Sequence, residues 1–100
     1  MFIVIWEYRV KEARLDDFMR SYAPDGDSAI LFKKGHGYLG TELLRDEQNP
    51  RRYLTLDRWT SAREYEAFLT SFADEYKALD THCEGWTESE SLFYRGSSPG

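Results

Sequence analysis

At 100 residues the chain has room for one domain and not for two. Lys and Arg number 13 against 18 Asp and Glu, and the net charge of −5 has the wrong sign for a phosphate-tracking surface, so no nucleic acid and no anionic membrane is expected as a partner. Cys83 is the only cysteine, which excludes an intrachain disulfide and fits a reducing, cytoplasmic setting.

Aromatics make up 16% of the chain, as three Trp, seven Tyr and six Phe. A domain this small buries only about 60–65% of its unfolded surface. So much amphipathic ring surface points to a lined pocket, a subunit interface, or both.

The opening "MFIVIWEYRV" has no basic leader, and its apolar run stops at Glu7, so it reads as a strand and not as a signal or membrane segment. Phe2, Val4, Trp6, Tyr8 and Val10 alternate with Ile3, Ile5, Glu7 and Arg9, giving two faces, both partly apolar. "ARLDDFMRSY" follows, with Leu15, Phe18, Met19 and Tyr22 at helical spacing, and Pro24 ends that helix. Asp27 is expected to cap a short helix through "SAILFKK" that Gly35 closes. A second strand starts near Tyr38, with Leu39, Thr41 and Leu43 on one face. The polar turn "DEQNPR" predicts antiparallel pairing with a third strand, "RYLTLDRWT". In that strand Tyr53, Thr55, Asp57 and Trp59 share one face, and Leu54, Leu56 and Arg58 the other. Ser61 and Glu64 have the spacing of a capping box and open a long helix with Tyr65, Phe68, Leu69, Phe72, Tyr76 and Leu79 as its apolar stripe. Gly85 stops it, and a last strand runs from about Glu88 to Arg95. The tail at 97–100 is expected to be disordered.

The order β-α-β-β-α-β predicts an α+β, ferredoxin-like domain over residues 1–96, a four-stranded antiparallel sheet with its helices on one face. Ile3, Ile5, Leu54 and Leu56 then lie on a face that no helix of the chain is left to cover. An uncovered apolar face implies a partner, most simply a second copy, and so a homodimer through the sheet.

The residues that carry chemistry are few. His36, His82 and Cys83 do not form a metal signature, and "DGD" at Asp25 to Asp27 lacks the remaining ligand spacing of a calcium loop. Dinucleotide, phosphate and hydrolase motifs are missing, so no cofactor is expected. RNA-recognition modules share the topology, but their third strand is basic and Gly-spaced, whereas this one carries Asp57 and no glycine. His36 sits between Gly35 and Gly37, where the backbone can approach a ligand closely; it is either a rim base or a loop residue in solvent. Asp57 points under the helices, so it is either paired with an Arg or part of a site. Trp59 and Tyr65, six residues apart, form either a packed joint between strand and helix or the wall of a pocket.

Together, "MFIVIWEYRVKEARLDDF", "GYLGTELLRD", "RRYLTLDRWTSAREYEAF" and "YKALD" resemble the antibiotic biosynthesis monooxygenase (ABM) domain family over roughly Met1 to Gly96. That resemblance implies a dimeric α+β barrel with a pocket between sheet and helices in each subunit. It also implies cofactor-independent oxygenation of a small aromatic or phenolic, polyketide- or quinol-like substrate. Quinone-forming members have a Trp at the strand end and a Tyr six residues on, matching Trp59 and Tyr65. Their Asn four residues before that Trp is Thr55 here, and a hydroxyl does not reproduce an amide's separate donor and acceptor. The expected catalytic set is Trp59, Tyr65, Asp57 and His36, with Thr55, Tyr22, Phe68, Phe72 and Tyr76 contacting substrate. Haem-degrading relatives use a His on the second helix; here Phe68 stands near their helical Trp and no His precedes His82, so haem degradation is the poorer match. The alternative of a different class is a non-catalytic ligand-binding or structural dimer module of the same fold.

Overall fold

The computed structural model describes residues 1–99; Gly100, the last residue of the expected tail, lies outside them. Strands β1 (Phe2–Val10), β2 (Tyr38–Arg45), β3 (Arg52–Trp59) and β4 (Thr87–Ser97) form one antiparallel sheet in the order β2-β3-β1-β4. Helices α1 (Leu15–Tyr22), α2 (Asp27–Phe32), α3 (Ala62–Ser71) and α4 (Ala73–Cys83) complete the α+β, ferredoxin-like arrangement expected from the sequence.

The sheet's inner face follows from strand alternation. Along β3 the residues Tyr53, Thr55, Asp57 and Trp59 are buried, while Leu54, Leu56 and Arg58 between them are only partly so. Antiparallel partners share a face, so the register stacks Trp59 beside Phe2 and Tyr38, Asp57 beside Val4 and Thr41, and Thr55 beside Trp6 and Leu43. Two apolar clusters join this face to the helices. Phe2, Val4 and Trp59 pack under Leu31, Phe32, Tyr65 and Phe68, while Tyr8, Val10 and Tyr53 pack under Phe18.

Several elements differ from expectation. Gly26, not Asp27, caps α2, and a β-carbon on Gly26 would lie 2.6 Å from the carbonyl oxygens of Arg20 and Ser21. Leu39 leaves the face it was expected to share with Thr41 and Leu43, because a bulge falls between Tyr38 and Gly40. Gly40 takes φ +140° there, and Leu39 is left 55% exposed. The long second helix is two: at Phe72 the backbone turns to φ −118°, ψ 30°, ending α3 and starting α4. Thr70 and Ser71 just before the break are weak helix formers, and the Thr70 hydroxyl bonds back to the Glu66 carbonyl at 3.1 Å, an interaction that bends helices. The expected cap of α3 is present, with Ser61 Oγ accepting from the Glu64 amide at 3.2 Å. β4 continues to Ser97, and the Ser98 amide donates to the Met1 carbonyl at 2.9 Å, so ordered pairing reaches beyond Arg95.

Candidate active site

Between the sheet's inner face and the helices lies a cleft with six aromatic walls: Trp6 and Tyr8 from β1, Tyr22 from α1, Phe32 from α2, Tyr65 from α3 and Tyr76 from α4. Thr41, Thr55 and Asp57 form its polar floor, and Asp80 and Glu90 also line it. The space amounts to about 540 Å³ with open solvent at the mouth counted in, of which only about 30 Å³ admits the centre of a water molecule, so it is a narrow slot.

Asp57 is 6% exposed. No Arg or Lys pairs with it among the described residues, so the Arg-paired alternative does not hold. Its Oδ1 accepts from Thr41 Oγ1 at 2.6 Å, and the Tyr38 hydroxyl lies 2.5 Å from that same Oγ1. Because Thr41 donates its one proton to the carboxylate, Tyr38 is the donor to Thr41, and the pair fixes the carboxylate's rotamer. Burial pushes the Asp57 carboxyl up to about 6, against the opposing pull of the Thr41 hydroxyl. A carboxylate tuned to that range is suited to exchange a proton near neutral pH. The tyrosines around it move the other way from bases. Burial raises Tyr8 well above its ordinary value, helped by the Glu90 charge, and burial likewise raises Tyr22, Tyr38, Tyr65 and Tyr76. They are neutral rings and hydroxyl donors at neutral pH.

Five of the nine expected site residues meet at this cleft: Tyr22, Thr55, Asp57, Tyr65 and Tyr76. Four do not. Trp59 is 0% exposed and sits behind Tyr65, ring centroids 5.5 Å apart, boxed by Phe32, Tyr38 and Phe68 at 5.3–5.9 Å. Its indole Nε1 is buried with no hydrogen-bond partner, as for a ring held by packing alone. Phe68 belongs to the same core, and Phe72 stacks on it at 5.4 Å, away from the slot. His36 is exposed and does not line the cleft. Its flanking glycines serve the core: a β-carbon on Gly35 would come 2.8 Å from the Phe68 ring, and Gly37, at φ +86°, abuts Thr60 and Glu64.

Sequence reasoning missed Trp6, Tyr8, Phe32, Thr41 and Glu90 as lining residues. The alternation of β1 and the position of Thr41 opposite Asp57 carried a signal for three of these; Phe32 and Glu90 depend on which helix covers which row. Among the described residues, no group of three or more His, Cys, Asp or Glu lies close enough to hold a metal ion. Among the described residues no helix is long and apolar enough to cross a membrane.

The molecule is thus an antiparallel α+β, ferredoxin-like domain with a buried carboxylate under aromatic walls. The model of the antibiotic biosynthesis monooxygenase family matches residues 1–81, and the chain belongs to that family. Similar solved structures share the fold at low identity. A family protein described as putative, from Bordetella bronchiseptica, is 18% identical with TM-score 0.77, over 97% of this chain and 95% of that one. A variant of SnoaB, a cofactor-independent oxygenase from Streptomyces nogalater, is 19% identical with TM-score 0.74, over 99% and 97%. A further family protein described as putative, from Nitrosomonas europaea, is 14% identical with TM-score 0.73, over the whole of both chains. No curated protein matches the chain significantly.

Proposed function

We propose that this protein is a cofactor-independent monooxygenase of a small phenolic aromatic, with Asp57 as general base. The observation that carries the reading is a carboxylate 6% exposed, raised to about 6, on the floor of an aromatic-walled slot. Asp57 takes the proton of the substrate hydroxyl, and the resulting anion is the electron donor to O₂. One oxygen atom enters the ring as a carbonyl in place of two hydrogens, and the other leaves as water. Tyr65 and Tyr76 flank the ring, and Thr55 offers a hydroxyl to the developing oxyanion. Trp59 supports Tyr65 from behind. Membership of the family and the likeness to SnoaB support this reading.

The test is oxygen uptake by chelator-treated protein offered a panel of anthrone-like phenols, with isotopically heavy O₂. One labelled atom per product and one O₂ per turnover are expected; no uptake across the panel would refute the proposal. The narrowness of the slot and the withdrawal of Trp59 into the core favour one second reading, a non-catalytic binder of the same ligands, which binds without turnover.

The protein is also read as a homodimer through the outer sheet face, in a cytoplasmic setting that suits the free, buried Cys83. Ile3, Ile5, Leu54 and Leu56 on that face are partly exposed, and Leu44, Phe93 and Tyr94 extend the apolar surface at 44–56% exposure. The Arg52–Glu7 and Arg58–Glu42 ion pairs lie on the same face and give it a polar margin, as interfaces have. Leu56→Glu, in the middle of the face, is expected to leave a folded monomer in analytical ultracentrifugation while the natural chain sediments as a dimer. A variant that still sediments as a dimer would place the interface elsewhere.

A further inference from the structure

We infer that the cleft selects aromatic ligands carrying a cationic ammonium group, held by Asp80 and Glu90. This rests on reading the cleft as the ligand site, and it names the class of ligand. Three carboxylates line the slot, Asp57, Asp80 and Glu90, and no Lys or Arg does. Arg95, registered beside Val4 on the inner face, lies over the rings of Phe2 and Tyr65 at 5.2 and 5.7 Å but is paired with Glu66 at 2.8 Å. None of the three cleft carboxylates is in an ion pair among the described residues.

The carboxylates are also not placed to share one ion. Asp57 is registered opposite Val4 and Glu90 opposite Tyr8, four residues along β1 and so roughly 13 Å apart along the sheet. Asp80 comes from α4 on the other side and is close enough that its charge adds to the upward push of burial on Glu90. The slot thus has two acidic poles: Asp57 on the floor, with no hydrogen bond to its Oδ2 among the described residues, and the Asp80–Glu90 pair at the other end. An elongated ligand satisfies both poles when it offers a hydroxyl to one and an ammonium to the other. Between the poles the walls are six aromatic side chains, and a ring that turns its face to the ligand favours a cation over an anion. A carboxylate- or phosphate-bearing aromatic would enter against like charge with no counter-ion to meet it.

A matched naphthyl series tests this without turnover: naphthylethylamine, naphthylethanol and naphthylacetate, titrated calorimetrically into the intact protein at low ionic strength. The amine is expected to bind at least about tenfold more tightly than the acetate, with the alcohol between, and added salt should narrow the gap. Asp80→Asn combined with Glu90→Gln, both exposed positions, should bring the three within about threefold. Equal or tighter binding of the acetate overturns the inference, as does an amine preference that survives the double substitution. If none of the three binds, the cleft is not an aromatic site and the inference falls with it. An amine preference in a protein that takes up no oxygen would instead sink the monooxygenase reading and leave the ligand class standing.

Discussion

Asp57→Asn should lower oxygen turnover by about 10²- to 10⁴-fold, the usual worth of a positioned general base, while making the folded protein more stable at neutral pH. The two effects have one origin. Folding moves this carboxyl from the ordinary 3.8 to about 6, because burial penalises the ionised form more than the Thr41 hydrogen bond favours it. A carboxyl raised in the folded state binds its proton more tightly there than in the unfolded chain. Its contribution to stability is then full below about pH 4 and is lost as pH rises through 6. Two units correspond to about 3 kcal/mol, and Asn, which can still accept from Thr41, should recover about 1–3 kcal/mol of it at pH 7.5. Urea unfolding at pH 4 and pH 7.5 checks this: natural and variant proteins should agree at the lower pH and diverge above it. A variant equally stable at pH 7.5 would show that Asp57 is not strained by burial, and the argument for its basicity would go too.

The second large effect concerns Trp59. Its ring touches those of Phe32, Tyr38, Tyr65 and Phe68, at centroid distances of 5.3–5.9 Å, and none of it reaches solvent. Trp59→Ala should cost about 3–5 kcal/mol, a large share of the roughly 5–15 kcal/mol that holds a domain together. For about 100 residues this lowers the melting temperature by about 15–30 °C. Trp59→Phe should cost about 1–2 kcal/mol, because much of the ring contact stays and the indole N–H has no partner to lose. In that milder variant, calorimetric affinity for naphthylethylamine should stay within about twofold of the natural protein. A stable Trp59→Phe protein that binds tenfold less tightly would return Trp59 to the cleft wall.

How far the sequence discloses this molecule is clearest along β3. The alternation Tyr53, Thr55, Asp57, Trp59 correctly sets which face is inward, and the Ser61 cap correctly starts the helix beyond it. Alternation is silent about depth. Trp59 and Asp57 point the same way two residues apart, yet the row of Trp59, Phe2 and Tyr38 lies beneath Phe32, Tyr65 and Phe68, while the next row, Asp57 with Thr41, opens into the slot. Which row is roofed depends on helix packing, which no single strand encodes. The bulges are the other blind spot. One between Tyr38 and Gly40 turns Leu39 outward, and another where Ile5 faces Tyr94 and Trp6 faces Leu92 resets the parity of β4. Spacing alone also matched Trp59 and Tyr65 to a pair of equals, whereas one lines the cleft and the other holds it up.

The break at Phe72 separates two jobs that a continuous helix would have fused. Upstream, α3 is pinned to the sheet through Tyr65 and Phe68, and the floor with Asp57 is pinned with it. Downstream, α4 brings Tyr76, Leu79 and Asp80 to the opposite wall. Changes at Thr70, Ser71 or Phe72 would therefore bear first on the pitch of α4 and on the wall it supplies. One wall of the cleft thus hangs from a hinge-like joint while the floor is part of the sheet itself.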